Sequence, residues 1–287
     1  MAEKILVAGA GGRLGGRLLE ELAARGYKVR AMVTDPCTMP GEELDVFACD
    51  ARRPESVAGA CEGVGAVVSA LGASLALRYT PPNAAYRDVD LGANLNLLEE
   101  ARRAGVRRFV YVSLYGAEAM RGLEYVDAHE EFVAALRASG LGHAVVRPTG
   151  FFYVFGEVFK MASRGRAVVI GDGRARTNPV HERDAARACA DALETGAPEL
   201  AVGGPRTYTR REVAELAFRA LGRPPKISNV PAGLVRALAA PVKLFDRRLH
   251  DLLQFGVAAS TTDLVAPAYG SADLAEYFQS LAAGGAA

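Results

Sequence analysis

Tryptophan is absent from this chain of 287 residues, and lysine is scarce: only Lys4, Lys28, Lys160, Lys226 and Lys243 occur, with none between 28 and 160. Neither sign of charge dominates, since 34 basic side chains face 33 acidic ones for a formal charge of +1. A near-neutral balance excludes a broadly basic nucleic-acid surface. No unbroken apolar run approaches the roughly 18 to 20 residues of a membrane span, so none is expected. The four cysteines include no C-x-x-C pair: Cys37, Cys49 and Cys61 are spaced by twelve and Cys189 stands far away. The four histidines likewise lack ligand spacing, so no metal site is expected, and the thiols are read as reduced and mostly buried. The opening Met-Ala-Glu-Lys-Ile-Leu-Val enters a strand pattern with no signal segment ahead of it, which sets a cytoplasmic expectation.

What is present is an alternation of short apolar runs with longer amphipathic stretches. Strands are expected at 4–8, 28–33, 44–48, 66–70, 109–113 and 143–147, and helices at 14–25, 54–61, 89–104 and 126–139. Continuously apolar strands such as Ala66-Val67-Val68-Ser69-Ala70 suit a parallel sheet covered on both faces. Repeated βα units with right-handed crossovers give a doubly wound α/β sheet. After Arg147-Pro148 the rhythm changes, which separates residues 1–150 from a small α/β lobe at 151–287, expected to pack over the carboxyl ends of the strands and to be partly interleaved with the first domain. In that lobe Phe151-Phe152-Tyr153-Val154-Phe155 opens a short helix, read as helix core or as a pocket wall. Thr209-Arg-Arg-Glu212 forms a capping box at the start of a helix. The apolar run 231–241 carries only Arg236 and is read as a buried lid helix, and the 282–287 tail is expected to fray.

Between the first strand and the first helix lies Gly9-Ala10-Gly11-Gly12-Arg13-Leu14-Gly15-Gly16. Glycines at 9, 12 and 15 suit a tight turn, close approach of backbone amides to a pyrophosphate, and helix packing on the strand. With this loop, several later segments resemble the extended and atypical short-chain dehydrogenase/reductase superfamily, especially its NmrA-like NAD(P)-binding members. They are Asp50 with Ala51 after the third strand, the 63–72 run ending Ala70-Leu71-Gly72, the 105–113 run ending in Ser113, and Arg147-Pro148-Thr149. The resemblance implies a Rossmann-type fold over nearly the whole chain. It implies that Gly9, Gly12, Arg13, Leu14 and Gly15 hold the pyrophosphate, that Asp50 and Ala51 meet adenine, and that Ala70, Leu71 and Gly72 run beneath the cofactor. Arg147, Pro148 and Thr149 meet the nicotinamide side.

Relatives of this kind often carry Arg where Thr34 stands at the end of the second strand. Arg13 can supply that charge and Thr34 a hydroxyl, which favours NADP, whereas an inward Asp35 would favour NAD. For chemistry, the resemblance implies a serine, a tyrosine acid and a lysine four residues after the tyrosine. Ser113 and Tyr125 match, but His129 stands in the lysine's place. His129 either does the lysine's work weakly, or the acceptor is an activated alkene or quinone that needs no strong acid, or the protein binds the cofactor without turnover. The primary expectation is an NAD(P)-dependent oxidoreductase acting on a small hydrophobic carbonyl, enone or quinone-like compound. The alternative is a non-catalytic, cofactor-sensing or assembly protein. Of the remaining histidines, His143 is read as structural, His181 as structural support or a substrate contact, and His250 as part of a solvated helix face. No oligomeric state is assigned.

Overall fold

The structure, a computed structural model, describes residues 3–39, 44–73 and 85–284. Residues 285–287, the end of the expected fraying tail, lie outside them. In chain order the elements are β1 (Lys4–Ala8), α1 (Arg13–Ala24), β2 (Lys28–Val33), β3 (Asp45–Ala48), α2 (Pro54–Val57), β4 (Ala66–Ser69), a π-helical turn (Arg87–Ala93) running into α3 (Asn94–Arg103), β5 (Arg108–Val112), α4 (Glu124–Ala138) and β6 (Gly142–Pro148). There follow α5 (Phe152–Ser163), β7 (Ala167–Ile170), β8 (Arg176–Thr177), α6 (Glu182–Thr195), β9 (Glu199–Val202), β10 (Tyr208–Thr209), α7 (Arg210–Ala220), β11 (Ile227–Val230), α8 (Ala232–Ala239), α9 (Arg247–Thr261) and α10 (Leu274–Ala282). No helix of the described residues is long and apolar enough to cross a membrane.

Seven strands form one sheet in the order β3-β2-β1-β4-β5-β6-β9. All pairs from β3 to β6 are parallel, with Ile5 of β1 opposite both Val29 and Ala66. The reversal of direction on either side of β1 makes this the doubly wound Rossmann-type sheet that was expected. Ile5, Leu6 and Val7 of β1 are buried, as are Ala66, Val67 and Val68 of β4, because helices cover both faces of the sheet. Leu97, Leu98 and Ala101 of α3 and Phe132, Val133 and Leu136 of α4 recur at helical spacing and pack with Phe109 and Tyr111 of β5 in one core.

Two local departures have simple causes. Helix α2 stops at Val57 rather than continuing to 61, because Gly59 takes a left-handed φ of 85° and gives its amide to the buried Glu100 carboxylate at 2.9 Å. The helix expected from 89 begins instead as the π turn, which places Asp90 and Asn94 fully inside the fold.

The chain divides into two compact units. The first takes the described residues within Met1–Leu114, Glu124–Arg147 and Ala185–Leu200, and the second those within Tyr115–Leu123, Pro148–Asp184 and Ala201–Ala287. The boundary expected at 150 falls near the Arg147/Pro148 division, and the units interleave: 115–123 leave the first unit and 185–200 return to it. In the second unit β7 pairs with β11 and β8 with β10. Phe152, Phe155 and Phe159 lie on one face of α5 in a core with Phe218 and Phe278, so Phe152 and Phe155 of the 151–155 cluster are core. Asn178, 2% exposed, stitches the unit's loops: its side chain donates to the Gly204 and Ala266 carbonyls (3.1 and 2.7 Å) and accepts from the Ala266 amide (3.0 Å). The expected buried lid helix is not found. Helix α8 buries only Ala239 and half-buries Ala232 and Val235, a narrow stripe of small side chains that leaves Leu234 and Leu238 exposed. His250, read as solvated, is half-buried and its Nδ1 lies 3.0 Å from the Ala239 carbonyl.

Three cysteines are buried, and burial pushes their thiols up, to about 11 for Cys49 and about 12 for Cys61 and Cys189, so they stay protonated and inert. Cys37 is exposed. The capping box at α7 is complete: the Glu212 amide donates to Thr209 Oγ1 at 3.1 Å and the Thr209 amide donates to Glu212 Oε2 at 2.7 Å. Thr209→Ala removes one of these bonds and is expected to cost about 1 kcal/mol. A lowered urea midpoint at unchanged slope reads that loss, and an unchanged midpoint contradicts it.

Candidate functional site

The β1–α1 turn is shaped by contacts that only glycine permits. Gly9 has φ 78°, and a Cβ there would lie 2.8 Å from the Ala70 carbonyl oxygen of the neighbouring strand's end. At Gly15 a Cβ would lie 2.1 Å from the Gly9 carbonyl oxygen, and at Gly12 3.3 Å from the same atom. The turn closes with the Gly12 amide on the Gly9 carbonyl (3.0 Å) and the Ala10 amide on Met32 of β2 (3.2 Å). Gly12 is the N-cap of α1 and, having no side chain, supplies no side-chain cap. Opening amides of a helix left without a side-chain cap carry partial positive charge and bind phosphate oxygens. The cradle therefore fits a dinucleotide pyrophosphate. Arg13 opens α1 as an exposed side chain with Leu14 half-buried behind it, and Thr34 is exposed beyond β2. Asp35 accepts the Cys37 amide at 2.9 Å and caps a short 3₁₀ turn, the role its Asp-Pro pair suggests.

Asp50 departs from a simple adenine-binding carboxylate. Arg52 grips it through Nε (2.9 Å), Nη2 (2.7 Å) and its amide (3.1 Å), and these bonds hold the carboxyl below its ordinary range. Ala51 is buried, with its carbonyl accepting from Asn96 at 2.9 Å.

The run Ala70-Leu71-Gly72 after β4 is held by two residues that the sequence reading did not single out. Asn94 accepts from Ser69 Oγ at 2.6 Å and donates to the Leu71 carbonyl at 3.3 Å, while Asp90 Oδ1 accepts the Ala73 amide at 3.1 Å. A signal for both was present: Asp90, Asn94, Leu97 and Ala101 share one face at helical spacing, so two polar residues stand on an otherwise apolar stripe.

Ser113, Tyr125 and His129 are all positioned, though in different company from that expected. Ser113 is 6% exposed, and its Oγ donates to Glu130 Oε1 (3.2 Å) and accepts from Arg147 Nη1 (3.3 Å). Arg147 binds Glu130 through two nitrogens (2.5 and 3.1 Å) and Glu199 through Nε (2.9 Å). Burial works against its charge, but the bonds and charges of Glu130 and Glu199 more than offset this and raise its pKa. Arg147, expected beside the cofactor, is thus the centre of a buried ion pair. Tyr125 is half-buried at the start of α4, edge-on to Tyr86 (ring centroids 5.2 Å apart) and to His129 (4.7 Å).

His129 does not present its ring as a lysine surrogate. It is 4% exposed, with Nδ1 2.6 Å from Tyr111 Oη on β5 and Nε2 3.2 Å from Asp90 Oδ1. That Nε2 contact is not a hydrogen bond, and among the described residues neither Nε2 nor Asp90 Oδ2 has a hydrogen-bond partner. Burial, with Asp90 nearby, pushes the Tyr111 hydroxyl far above the usual tyrosine range, so it keeps its proton.

Pro148 and Thr149 belong to the second unit. The Pro148 carbonyl accepts the Tyr115 amide at 2.9 Å, and Thr149, 5% exposed, donates its hydroxyl to the Asn178 carbonyl at 2.6 Å. His181 accepts the Arg183 amide at 3.0 Å, and His143 Nδ1 lies 3.2 Å from the Leu141 carbonyl. Among the described residues no group of three or more His, Cys, Asp and Glu side chains could hold a metal ion.

Two substitutions check this geometry. Gly15→Ala drives a methyl into the Gly9 carbonyl and is expected to weaken nucleotide binding by about tenfold or more, or about 1.4 kcal/mol. Gly16→Ala, where nothing lies within 4 Å of the added carbon, is expected to bind as the parent does; equal titration curves for both variants would contradict the cradle. His129→Ala strips Tyr111 and Asp90 of their buried neighbour and is expected to cost about 1–3 kcal/mol of stability while nucleotide affinity is kept. A stable variant with lost affinity would instead make His129 a cofactor ligand.

Comparison with known proteins agrees with this architecture. A family described as NAD(P)H-binding matches residues 9–196. The divinyl chlorophyllide a 8-vinyl-reductase of Zea mays is 30% identical over 96% of this chain and 78% of that protein. The photosystem II assembly factor Ycf39 of Trieres chinensis is 21% identical over 88% of this chain and 80% of its own. An NADPH-dependent quinone oxidoreductase of Escherichia coli, solved with NADPH, superposes with a TM-score of 0.78 at 21% identity, covering 96% of this chain and 99% of its own. With its glycine turn, its sheet order and a family match over most of its length, the chain belongs to the NAD(P)H-binding, NmrA-like branch of the atypical short-chain dehydrogenase/reductases.

Proposed function

We propose that the protein is an NADP-dependent oxidoreductase that reduces a small hydrophobic acceptor, quinone-like or an activated alkene in preference to a simple ketone. The observation that carries the nucleotide half is the β1–α1 turn, whose N-cap Gly12 offers no side-chain cap and whose Gly9 and Gly15 allow the close backbone packing that shapes the cradle. NADP is chosen over NAD because Arg13 and Thr34 are exposed at the two places where a 2′-phosphate is read, and Asp35 spends its carboxylate on the Cys37 amide.

The acceptor class follows from His129. A lysine in its place would bring a permanent cation beside Tyr125 and ease the tyrosine's proton release. Here the ring nitrogens are turned to Tyr111 and Asp90, and no lysine lies between 28 and 160. Tyr125 therefore acts as a weak proton donor, held in place by edge contacts to Tyr86 and His129. The bound cofactor supplies a hydride. Quinones and enones spread the resulting charge over a conjugated system and need little help from an acid, whereas a simple ketone needs the proton as the bond forms. The vinyl group and the quinone in the names of two similar proteins belong to the same acceptor class.

A second reading, nucleotide-dependent binding without turnover, is favoured by the enclosure of Ser113 Oγ between Glu130 and Arg147, which takes the expected catalytic hydroxyl out of use. Nicotinamide absorbance followed with a panel of quinones, enones and ketones separates the two. The oxidoreductase reading expects oxidation of NADPH by quinones or enones and only a modest fall in the enone rate in Tyr125→Phe, well short of the roughly 100-fold or more that loss of an effective general acid costs. It also expects NADPH to be preferred over NADH by more than about tenfold. Tight NADPH binding with no oxidation across the panel would give the second reading the protein.

A further inference from the structure

Residues 216–245 hold five basic side chains, Arg219, Arg223, Lys226, Arg236 and Lys243, and no Asp or Glu, in a chain whose formal charge is only +1. Within this stretch the second unit also shows its most exposed apolar side chains. Leu234 and Leu238 stand four apart on α8 and so share a face, 51% and 67% exposed. The 3₁₀ turn Ala240–Leu244 then carries Leu244 at 83% and is followed by Phe245 at 90%. Among the described residues these are four of the six large apolar side chains left exposed, so the exposure is concentrated rather than scattered. Arg236, between the two leucines in sequence, leaves α8 on the side away from their shared face, and Lys243 precedes Leu244; both are exposed and neither is in an ion pair among the described residues. The arrangement is firmly built: Asp246 caps α9 through the Leu249 amide at 2.9 Å, and His250 ties α9 to the end of α8.

Apolar side chains clustered in water at this density mark a surface that something covers. We propose that α8 and the 240–245 turn dock on an anionic lipid bilayer, with Leu234, Leu238, Leu244 and Phe245 entering the interfacial layer and Arg236 and Lys243 meeting lipid phosphates. Three features choose this occupant. Phe245 and Leu244 stand out from a turn rather than lining a groove, a shape that suits insertion into a soft layer. Apolar side chains flanked by cations, with no acid between 216 and 245, match the charge of anionic headgroups. The same cations would repel one another if two copies met face to face through this patch. Helix α8 has eight residues and lies far below spanning length, so the attachment is peripheral and reversible.

The absence of tryptophan makes the test direct, because Phe245→Trp gives this chain a single indole at the proposed insertion point. With vesicles of phosphatidylcholine and phosphatidylglycerol in equal proportion, the emission of this variant is expected to shift to the blue and the protein to sediment with the vesicles. With phosphatidylcholine alone, binding is expected to fall about tenfold or more, as it should in high salt. Leu244→Ser with Phe245→Ser is expected to abolish sedimentation, and Arg236→Gln with Lys243→Gln to erase the difference between the two vesicle types. All variants should keep the parent melting temperature, since the altered side chains are exposed. No blue shift with anionic vesicles, or equal binding to both vesicle types by the parent, would overturn the proposal. So would a concentration-dependent dimer that the double serine variant abolishes, which would assign the patch to a second copy.

Discussion

Strands β1 and β4 lie side by side, and the turn leaving β1 passes so near the end of β4 that a single added carbon at Gly9 would approach the Ala70 carbonyl oxygen to 2.8 Å. A second close approach, Gly15 against the Gly9 carbonyl, fixes how α1 leaves the turn. Both are backbone-to-backbone contacts, which no side-chain rearrangement can relieve. They place the start of α1, whose N-cap Gly12 has no side chain, at the end of β1, where a helix terminus favours an anion. Every functional claim about the first unit starts from that packing, because it sets where the phosphates of a dinucleotide can sit.

Two polar networks, the first buried and the second reaching the surface at Glu199, then organise the far ends of β4, β5 and β6. One joins Asp90, His129 and Tyr111, with Asp90 also holding the Ala73 amide and Asn94 holding Leu71. The other joins Ser113, Glu130, Arg147 and Glu199. Each crosses from a strand end to α4, so the helix carrying Tyr125 is pinned by neighbouring residues 129 and 130 facing different partners. Enclosed polar groups of this kind fix one arrangement at some cost in stability, since each must be stripped of water. Their chemical consequence is that His129 and Ser113 are occupied with architecture. Tyr125 remains as the half-buried proton-bearing group beside them, which is why the acceptor is placed among compounds that demand little acid catalysis.

Much of the first unit was legible in the sequence. Strands β1 and β2 match their apolar runs, and the glycine spacing identified the turn because tight backbone packing excludes other residues. The capping box of Thr209 and Glu212 was legible because it is made of local side-chain-to-backbone bonds. What escaped is non-local. Nothing in the spacing of Tyr125 and His129 reveals that Tyr111, on a strand, and Asp90, on a π turn, lie close to the imidazole. Arg147 likewise resembled a cofactor contact until Glu130 and Glu199 were seen on either side of it. For α8 the error was one of partner rather than of type: an apolar helix was expected and found, but only the stripe of Ala232, Val235 and Ala239 has anything to pack against.

The protein thus joins a nucleotide-binding sheet to a second unit with an exposed, cation-flanked apolar patch, and its chemistry rests on where the nicotinamide meets Tyr125. A crystal structure of the chain grown with NADPH tests that most directly. The account predicts a pyrophosphate at the opening turn of α1, the 2′-phosphate within reach of Arg13, Tyr125 beside the nicotinamide, and His129 still bonded to Tyr111. A nucleotide bound away from the glycine turn, or a His129 ring swung out onto the ribose, would contradict it.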